Sequence, residues 1–202
     1  MITIAYKDIG NIEPVSIAEA KEYLGQASDH HDTMIQHMVT AARERAELYM
    51  NRTVLDKTIT LTLDKKDFPD SRVIKLVRGP VKEVVKVRYK NTDGDWVTVA
   101  PADYQLSILT DPGILVIPSL SHGDIKNGIA VMQVEYTTGW GDRTIDGVQY
   151  KNPLPETIRT AIMMMMRTMY DQRDEFVRGT IISRLPEASE ALLDGIRLTE
   201  FR

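Results

Sequence analysis

The chain carries 202 residues, 43% of them hydrophobic and 27% charged, with a formal net charge of −4, which is enough for one good core or at most two small domains. It has no cysteine, which excludes disulfide frameworks, thiolate metal sites and cysteine nucleophiles and fits a reducing compartment such as the cytoplasm. The acidic balance argues against general adhesion to nucleic acid, which takes many uncompensated Lys and Arg, and leaves room only for a local basic patch.

The first residues, Met1-Ile2-Thr3-Ile4-Ala5-Tyr6-Lys7, lack the basic start and apolar core of a signal peptide. No apolar run approaches the roughly 20 residues of a membrane span, so the expectation is a protein made and used in soluble form. The first helix opens at Ser16, where Ser16-Ile17-Ala18-Glu19 reads as a capping box. Ile17, Ala20 and Leu24 share a face, and Gly25 is a stop. A second helix starts near Asp32. Ile35, Val39, Ala42, Ala46 and Tyr49 form one stripe at the helical period, and Arg43 and Glu47 lie opposite as an i, i+4 pair. Asn51-Arg52 ends this helix, and the short connection predicts a helical hairpin.

From about 54 to 136 the pattern changes to strands. Ile59, Leu61 and Leu63 alternate with threonines, and Val85, Val87 and Tyr89 alternate with Lys86, Arg88 and Lys90. Asn91-Thr92-Asp93-Gly94-Asp95 is a hairpin turn that returns through Trp96-Val97-Thr98-Val99. Residues 114–117 and 129–136 are apolar strands, and the set predicts a small antiparallel sheet or barrel. Residues 138–155 read as a loop, with Pro155 at the first position of a third helix. There Ile158, Ala161, Ile162, Met165 and Met169 form a stripe widened by Met163, Met166 and Tyr170, so the helix is expected to be buried on more than one side. Beyond Phe176 the periodicity fades, with one short helical stretch around Glu190-Ala191-Leu192-Leu193.

These segments, in this order, carry a resemblance. Pro14-Val15-Ser16-Ile17-Ala18-Glu19-Ala20-Lys21 runs on to Leu24, then a helix ends in Tyr49-Met50-Asn51-Arg52. Gly79-Pro80-Val81, the Asp-Gly hairpin and Pro101-Ala102-Asp103-Tyr104 follow. Next come Val134, Tyr136-Thr137 and Gly139-Trp140-Gly141, then Pro155, Ile158-Arg159 and Ala161-Ile162, and finally Leu185-Pro186, residues 190–193 and Arg197. The series resembles the head–tail connector (adaptor) family of long-tailed phages, prophages and gene-transfer particles. It departs at Gly195-Ile196, where that family often has Pro-Tyr, and at the methionine run 163–166, where that family is richer in Leu.

The resemblance implies a non-enzymatic subunit of a ring, usually dodecameric, below the portal. It implies helical parts that pack together with a β insertion between them. It also implies a C-terminal tail that reaches the portal, a stopper or tail-completion protein on the opposite face, and DNA passing through the lumen.

Read for chemistry, the residues offer little. Asp29-His30-His31-Asp32 with His37 lacks the i, i+4 spacing of helical metal ligands, and helix capping by Asp29 or Asp32 accounts for the acids. Ser119 and Ser121 stand near His122 without triad geometry, and Gly139-Trp140-Gly141-Asp142 is too short to cradle phosphate. No cofactor, metal or catalytic residue is expected. Between positions 64 and 90 nine basic residues face four acids; that local +5, within a chain of −4, leaves −9 elsewhere. Lys86, Arg88 and Lys90 project from one strand face, either as a solvated face that discourages edge pairing or as a contact to an acidic neighbour or to DNA in the lumen. No aromatic residues interleave with them. Met164 is the candidate intersubunit contact of the methionine run. The tail, with Ile181, Ile182, Leu185, Leu192, Leu193, Ile196, Leu198 and Phe201, has apolar content without periodicity, and docking on the portal is expected for Ile181, Ile182, Leu185, Leu192, Leu193 and Phe201.

The sequence thus predicts an α+β fold: an N-terminal helical hairpin packed with a long C-terminal helix, and a small antiparallel β insertion between them. Residues 1–175 form one connector domain with the insertion at about 54–136, and residues 176–202 form a docking tail. The expected function is a head–tail connector subunit in the neck of a virion, made in the host cytoplasm. Its partners would be copies of itself, the portal, a stopper or tail-completion protein, and genomic DNA held without sequence specificity; no membrane is involved. The alternatives are a tail-completion or stopper protein of the same neck, a DNA-binding module using Lys86, Arg88 and Lys90, and an enzyme using the acidic loops with His122 or Asp142.

Overall fold

A computed structural model of the chain describes residues 2–8, 12–145, 148–172 and 187–199. They gather into two units: a helical unit from the described residues of Ile12–Val54 and Pro153–Glu200, and a β unit from those of Met1–Asn11 and Leu55–Asn152.

In the helical unit, α1 (Ile17–Leu24) begins as the capping box requires. The Glu19 N–H donates to the Ser16 hydroxyl at 3.2 Å, and the Ser16 N–H donates to the Glu19 carboxylate at 2.8 Å. Gly25 ends the helix at φ 69°, a left-handed conformation that costs glycine nothing. After one turn of 3₁₀-helix, α2 (Asp32–Met50) runs to Asn51, also left-handed at φ 55°. The helices α3 (Glu156–Asp171) and α4 (Glu187–Asp194) complete the unit. α3 packs on α2 and on α1, and α4 packs on α3 and α2.

The core stripes are close to those expected. Ile35, Val39, Ala42 and Ala46 are buried, but Met50, not Tyr49, continues the stripe. On α3, Ile158, Ala161, Ile162, Met165, Met166, Met169 and Tyr170 are all buried. Each large aliphatic side chain so covered contributes about 1.5–3 kcal/mol. Arg43 and Glu47 are a correction: they pair at 3.0 Å as expected, but inside the unit rather than on its solvent side.

The β unit holds a five-stranded antiparallel sheet in the order β1-β2-β8-β4-β5 and a three-stranded one in the order β3-β7-β6. The strands of the first are β1 (Ile2–Asp8), β2 (Lys57–Leu63), β8 (Met132–Thr138), β4 (Val81–Lys90) and β5 (Trp96–Val99). Those of the second are β3 (Val73–Leu76), β7 (Gly113–Val116) and β6 (Gln105–Ser107). A separate ribbon pairs β9 (Arg143–Ile145) with β10 (Val148–Tyr150). One core draws on both sheets: Ile59, Leu61, Val134 and Tyr136 from the larger, Ile74, Leu76 and Leu115 from the smaller.

This architecture overturns the expected fold. The chain opens with a strand and then a helix, not with a helical hairpin, and the β part is no small insertion. β1 precedes the helices yet pairs along its whole length with β2, from Ile2↔Leu63 to Asp8↔Lys57. The fold is a mixed one, with two main antiparallel sheets and four helices among the described residues. β3, β6, β9 and β10 have only three or four residues each, too short to show a period, and the last two fall in the expected loop at 138–155. Two smaller expectations also fail. Register shifts in β4 turn Val85 outward to 55% exposure, and Ile129 lies before β8 at 78%.

Candidate interaction surfaces

The polar residues of the sequence motifs are mostly engaged within their own unit. In the helical unit, Glu13 accepts from Arg43 Nε at 2.9 Å and from the Thr40 hydroxyl at 2.9 Å. The second carboxylate on Arg43, Glu47, also accepts from the Val54 N–H at 2.6 Å. Burial opposes the Arg43 charge, but the Glu13 hydrogen bond and the field of Glu47 outweigh it and hold the guanidinium pKa above its usual value. Glu19 of the capping box also takes Arg159 of α3; its pKa is lowered first by the Ser16 backbone and hydroxyl, then by that guanidinium. Arg167 reaches the Tyr23 carbonyl at 3.2 Å.

The chain after α4 is fastened to the end of α2 by the residues of Tyr49-Met50-Asn51-Arg52. The Tyr49 hydroxyl donates to Asp194 at 2.5 Å, and the Arg197 guanidinium stacks 4.8 Å above its ring. Asn51 Nδ2 donates to the Leu198 carbonyl at 3.0 Å, the Leu198 N–H donates to the Met50 carbonyl at 2.9 Å, and Arg52 Nε binds the Ile196 carbonyl. Leu193 is fully buried, Leu198 is buried and Leu192 is half-buried, all within the helical unit. Ile181, Ile182, Leu185 and Phe201, the other residues expected to meet the portal, lie outside the described residues. Met164 is half-buried on α3.

The histidine cluster of the sequence also has its polar partners. Lys21 binds Asp29 and lies 2.9 Å from Asp32, which raises the lysine pKa, and its bond to Asp29 lowers that carboxyl. The acids do not cap α2, as was expected; Ser28 caps the 3₁₀ turn and His31 precedes α2 without a side-chain bond. Among the described residues no three His, Asp or Glu side chains converge as metal ligands.

In the β unit, Gly139 carries the Gly-Trp-Gly motif past Asp56. Its N–H donates to the Pro80 carbonyl at 3.0 Å, and a Cβ there would sit 2.9 Å from Asp56 Cα. Only glycine permits that approach at φ 137°. Asp56 in turn holds Lys82 Nζ at 2.7 Å. The Ser121 hydroxyl donates to Asp124 at 2.6 Å in a capping box, and this bond, with that of the Ser121 N–H, lowers the Asp124 pKa. His122 lies 3.1 Å from Asp70 and edge-on to Phe68, so Ser121 is spent on the cap and not aimed at the imidazole. Asp142 is exposed.

The basic strand β4 lies between β8 and β5 from Val87 to Lys90, so Arg88 and Lys90 do not guard an edge, whereas Lys86 stands beyond the last pair with β5. Lys86 stands opposite Glu135 and is exposed. Arg88 stands opposite Gln133 and donates to it at 2.6 and 2.9 Å. The expectation that no aromatic residue interleaves is corrected here. The hairpin pairs Trp96 with Lys90, and the indole lies 4.5 Å from the Arg88 guanidinium and 5.0 Å from Lys90 Nζ. Such contacts at exposed sites are worth about 0.5–1 kcal/mol each. The signal was the Asp93-Gly94 turn, whose two-sided register fixes which residues face each other.

Among the described residues of the β unit, cavities open at these places. One, of about 540 Å³, is lined by Asp64, Lys65, Lys66, His122 and residues 127–129. Another, of about 330 Å³, lies beside β5.

No family model matches the sequence, and no curated protein matches it. Solved structures do match in fold. A chain in the virion of the native gene transfer agent (GTA) particle superposes with a TM-score of 0.67, 16% identity, and coverage of 98% of this chain and 97% of that one. Chains in the neck of the empty GTA particle, solved with C6 symmetry, and in the neck of the native particle, with C12 symmetry, match over the same shares at 16% identity, with TM-scores of 0.66 and 0.62. Over nearly its whole length, therefore, the chain has the fold of a protein from the neck of a phage-like particle, the structural class that the motif order in the sequence resembles.

Proposed function

We propose that this chain is a structural protein of a virion neck, a non-enzymatic head–tail connector subunit that forms a ring below the portal and joins it to the tail-completion proteins. The observation that supports this is the fold shared over 98% of the chain with proteins of GTA necks solved with six- and twelve-fold symmetry. The arrangement of polar residues is consistent with it. The motif cations and carboxylates of the helical unit serve packing and capping, not a reaction. The mechanism is assembly: one heterologous interface repeats until rotation closes the ring, and many modest contacts then add up against a portal of matching symmetry. Genomic DNA passes through the lumen without sequence-specific contacts. Portal docking falls to the tail at 176–202, through Leu192 and the apolar residues beyond the described ones. The protein is made in the host cytoplasm and resides in the virion.

The test is electron microscopy of the protein mixed with its cognate portal, with the full chain and with its Leu192→Asp variant, since a chain cut at 175 would also lose α4 and the buried Leu193 and Leu198. The expected result is a ring on the portal for the first and none for the second. A protein that ignores the portal and binds the tail tube instead is a stopper or tail-completion protein, and the adaptor reading falls.

A further inference from the structure

The outer face of the larger sheet brings three cations and an indole together. Past the register shift at Val84/Lys86, β4 pairs with β8 without interruption, so Lys86, Arg88 and Lys90 project on the side opposite the buried Val87. Trp96 of β5 pairs with Lys90 and therefore stands on that same side. Its ring is 39% exposed, with the Arg88 guanidinium 4.5 Å and Lys90 Nζ 5.0 Å from its centre. Gln133 accepts from Arg88 at 2.6 and 2.9 Å. Two long cationic side chains are thus ordered at the surface before anything binds, and the ordering that a loose lysine or arginine demands of a partner is met in the free chain.

The cations also form a row. Alternate side chains of a strand lie roughly 6.8 Å apart, so Lys86, Arg88 and Lys90 span about 14 Å in one direction. A nucleic-acid backbone presents its charges in that way, at a regular spacing along a line, which an acidic protein surface does not. Carboxylates stand near the row: Glu135 opposite Lys86, and Asp93 and Asp95 in the turn, where Lys126 lies against Gly94. The hold of one copy is therefore modest, three phosphates at most, and a contact made only to the backbone lets a strand slide.

We propose that this face, Lys86, Arg88 and Lys90 with Trp96 beside them, is a contact for the sugar–phosphate backbone of DNA, weak in one copy and summed around a ring. Trp96 is a positioning residue: it holds Arg88 and Lys90 where phosphates meet them. The proposal rests on the neck reading above for which polyanion is at hand, and deepens it by naming the surface that touches it.

The contact is read on the free full chain, apart from any portal, by fluorescence anisotropy of a labelled DNA duplex of arbitrary sequence. With three phosphates neutralised, affinity is expected to fall about 40-fold between roughly 50 and 200 mM salt. K86E/R88E is expected to weaken binding at low salt by at least about tenfold with the melting temperature unchanged. Lys86→Gln alone, at an exposed side chain, is expected to reduce the salt slope by about one. A flat salt response, or native affinity in both variants, overturns the contact. Poly-glutamate bound as tightly as the duplex overturns DNA as the occupant and points to an acidic protein surface. Trp96→Ala is expected to weaken binding about threefold with the salt slope unchanged, since ordering is lost and charge is kept; an unchanged affinity removes the indole from the contact. Salt-dependent binding by a chain that forms no ring on the portal overturns the neck reading and leaves the contact standing. A ring without DNA binding does the reverse.

Discussion

The helical unit and the β unit handle their polar residues in opposite ways. In the helical unit, charges that a helical wheel assigns to solvent are turned inward and paired: Arg43 between Glu13 and Glu47, Arg52 on a carbonyl of the chain's last described segment. In the β unit the larger sheet carries a threonine-rich outer face with Lys86 exposed on it, and Trp96 lies at the surface between Arg88 and Lys90. The motifs of the first therefore record how the unit holds itself together. Those of the second set charge and an aromatic ring on the outside of a sheet.

Substitutions separate the two more sharply. The largest effect is expected from Met165→Asp, which puts a carboxylate where 1% of the residue is exposed and costs at least about 3 kcal/mol. Loss of cooperative helical melting would be seen by circular dichroism; a native melting curve would mean that this face of α3 is not core. Next comes Arg43→Ala, which strands the buried Glu47 and the Glu13 carboxylate and is expected to cost about 3 kcal/mol in urea unfolding. A cost below about 0.5 kcal/mol would put the pair in the class of surface salt bridges, and the contrast between the units would disappear.

The smallest effect belongs to the β unit. The Tyr136 hydroxyl donates to the Val77 carbonyl at 2.8 Å, and Tyr136→Phe is expected to cost about 1 kcal/mol. Burial raises the Tyr136 pKa above the ordinary 10.0, so above pH 10 the unfolded chain loses this proton before the folded one does. Stability from this group is therefore complete below pH 10 and falls as pH rises beyond it. The Phe variant should show a shallower alkaline loss in the melting temperature. An identical slope in both would place the hydroxyl in contact with water.

Features set by neighbours in sequence were legible in it. The Ser16–Glu19 box, the stops at Gly25 and Asn51, the Asn91–Asp95 turn and the alternation of β2 all stand where the residues put them, because each depends on contacts within a few positions. Features set from a distance were not. β1 takes its place from a partner some fifty residues later, and Arg43 is drawn inward by Glu13, thirty positions before it. Register shifts in β4 moved Val85 to the outside although its local alternation was that of a buried residue. Among the expected site residues, Lys86, Arg88 and Lys90 do share a strand face, while the Trp96 ring that Arg88 and Lys90 flank comes from the other arm of the hairpin.

The position of β1 also decides how the chain may be cut. A fragment beginning at Leu55 would look like a self-contained β domain, yet it would lack the strand that covers β2. Ile59 and Leu61 would then lie on a bare margin of seven residues, open to any extended peptide in the tube. Expression of the β unit alone thus calls for residues 2–8 to be joined to it through a linker, so that the first strand travels with the domain it completes.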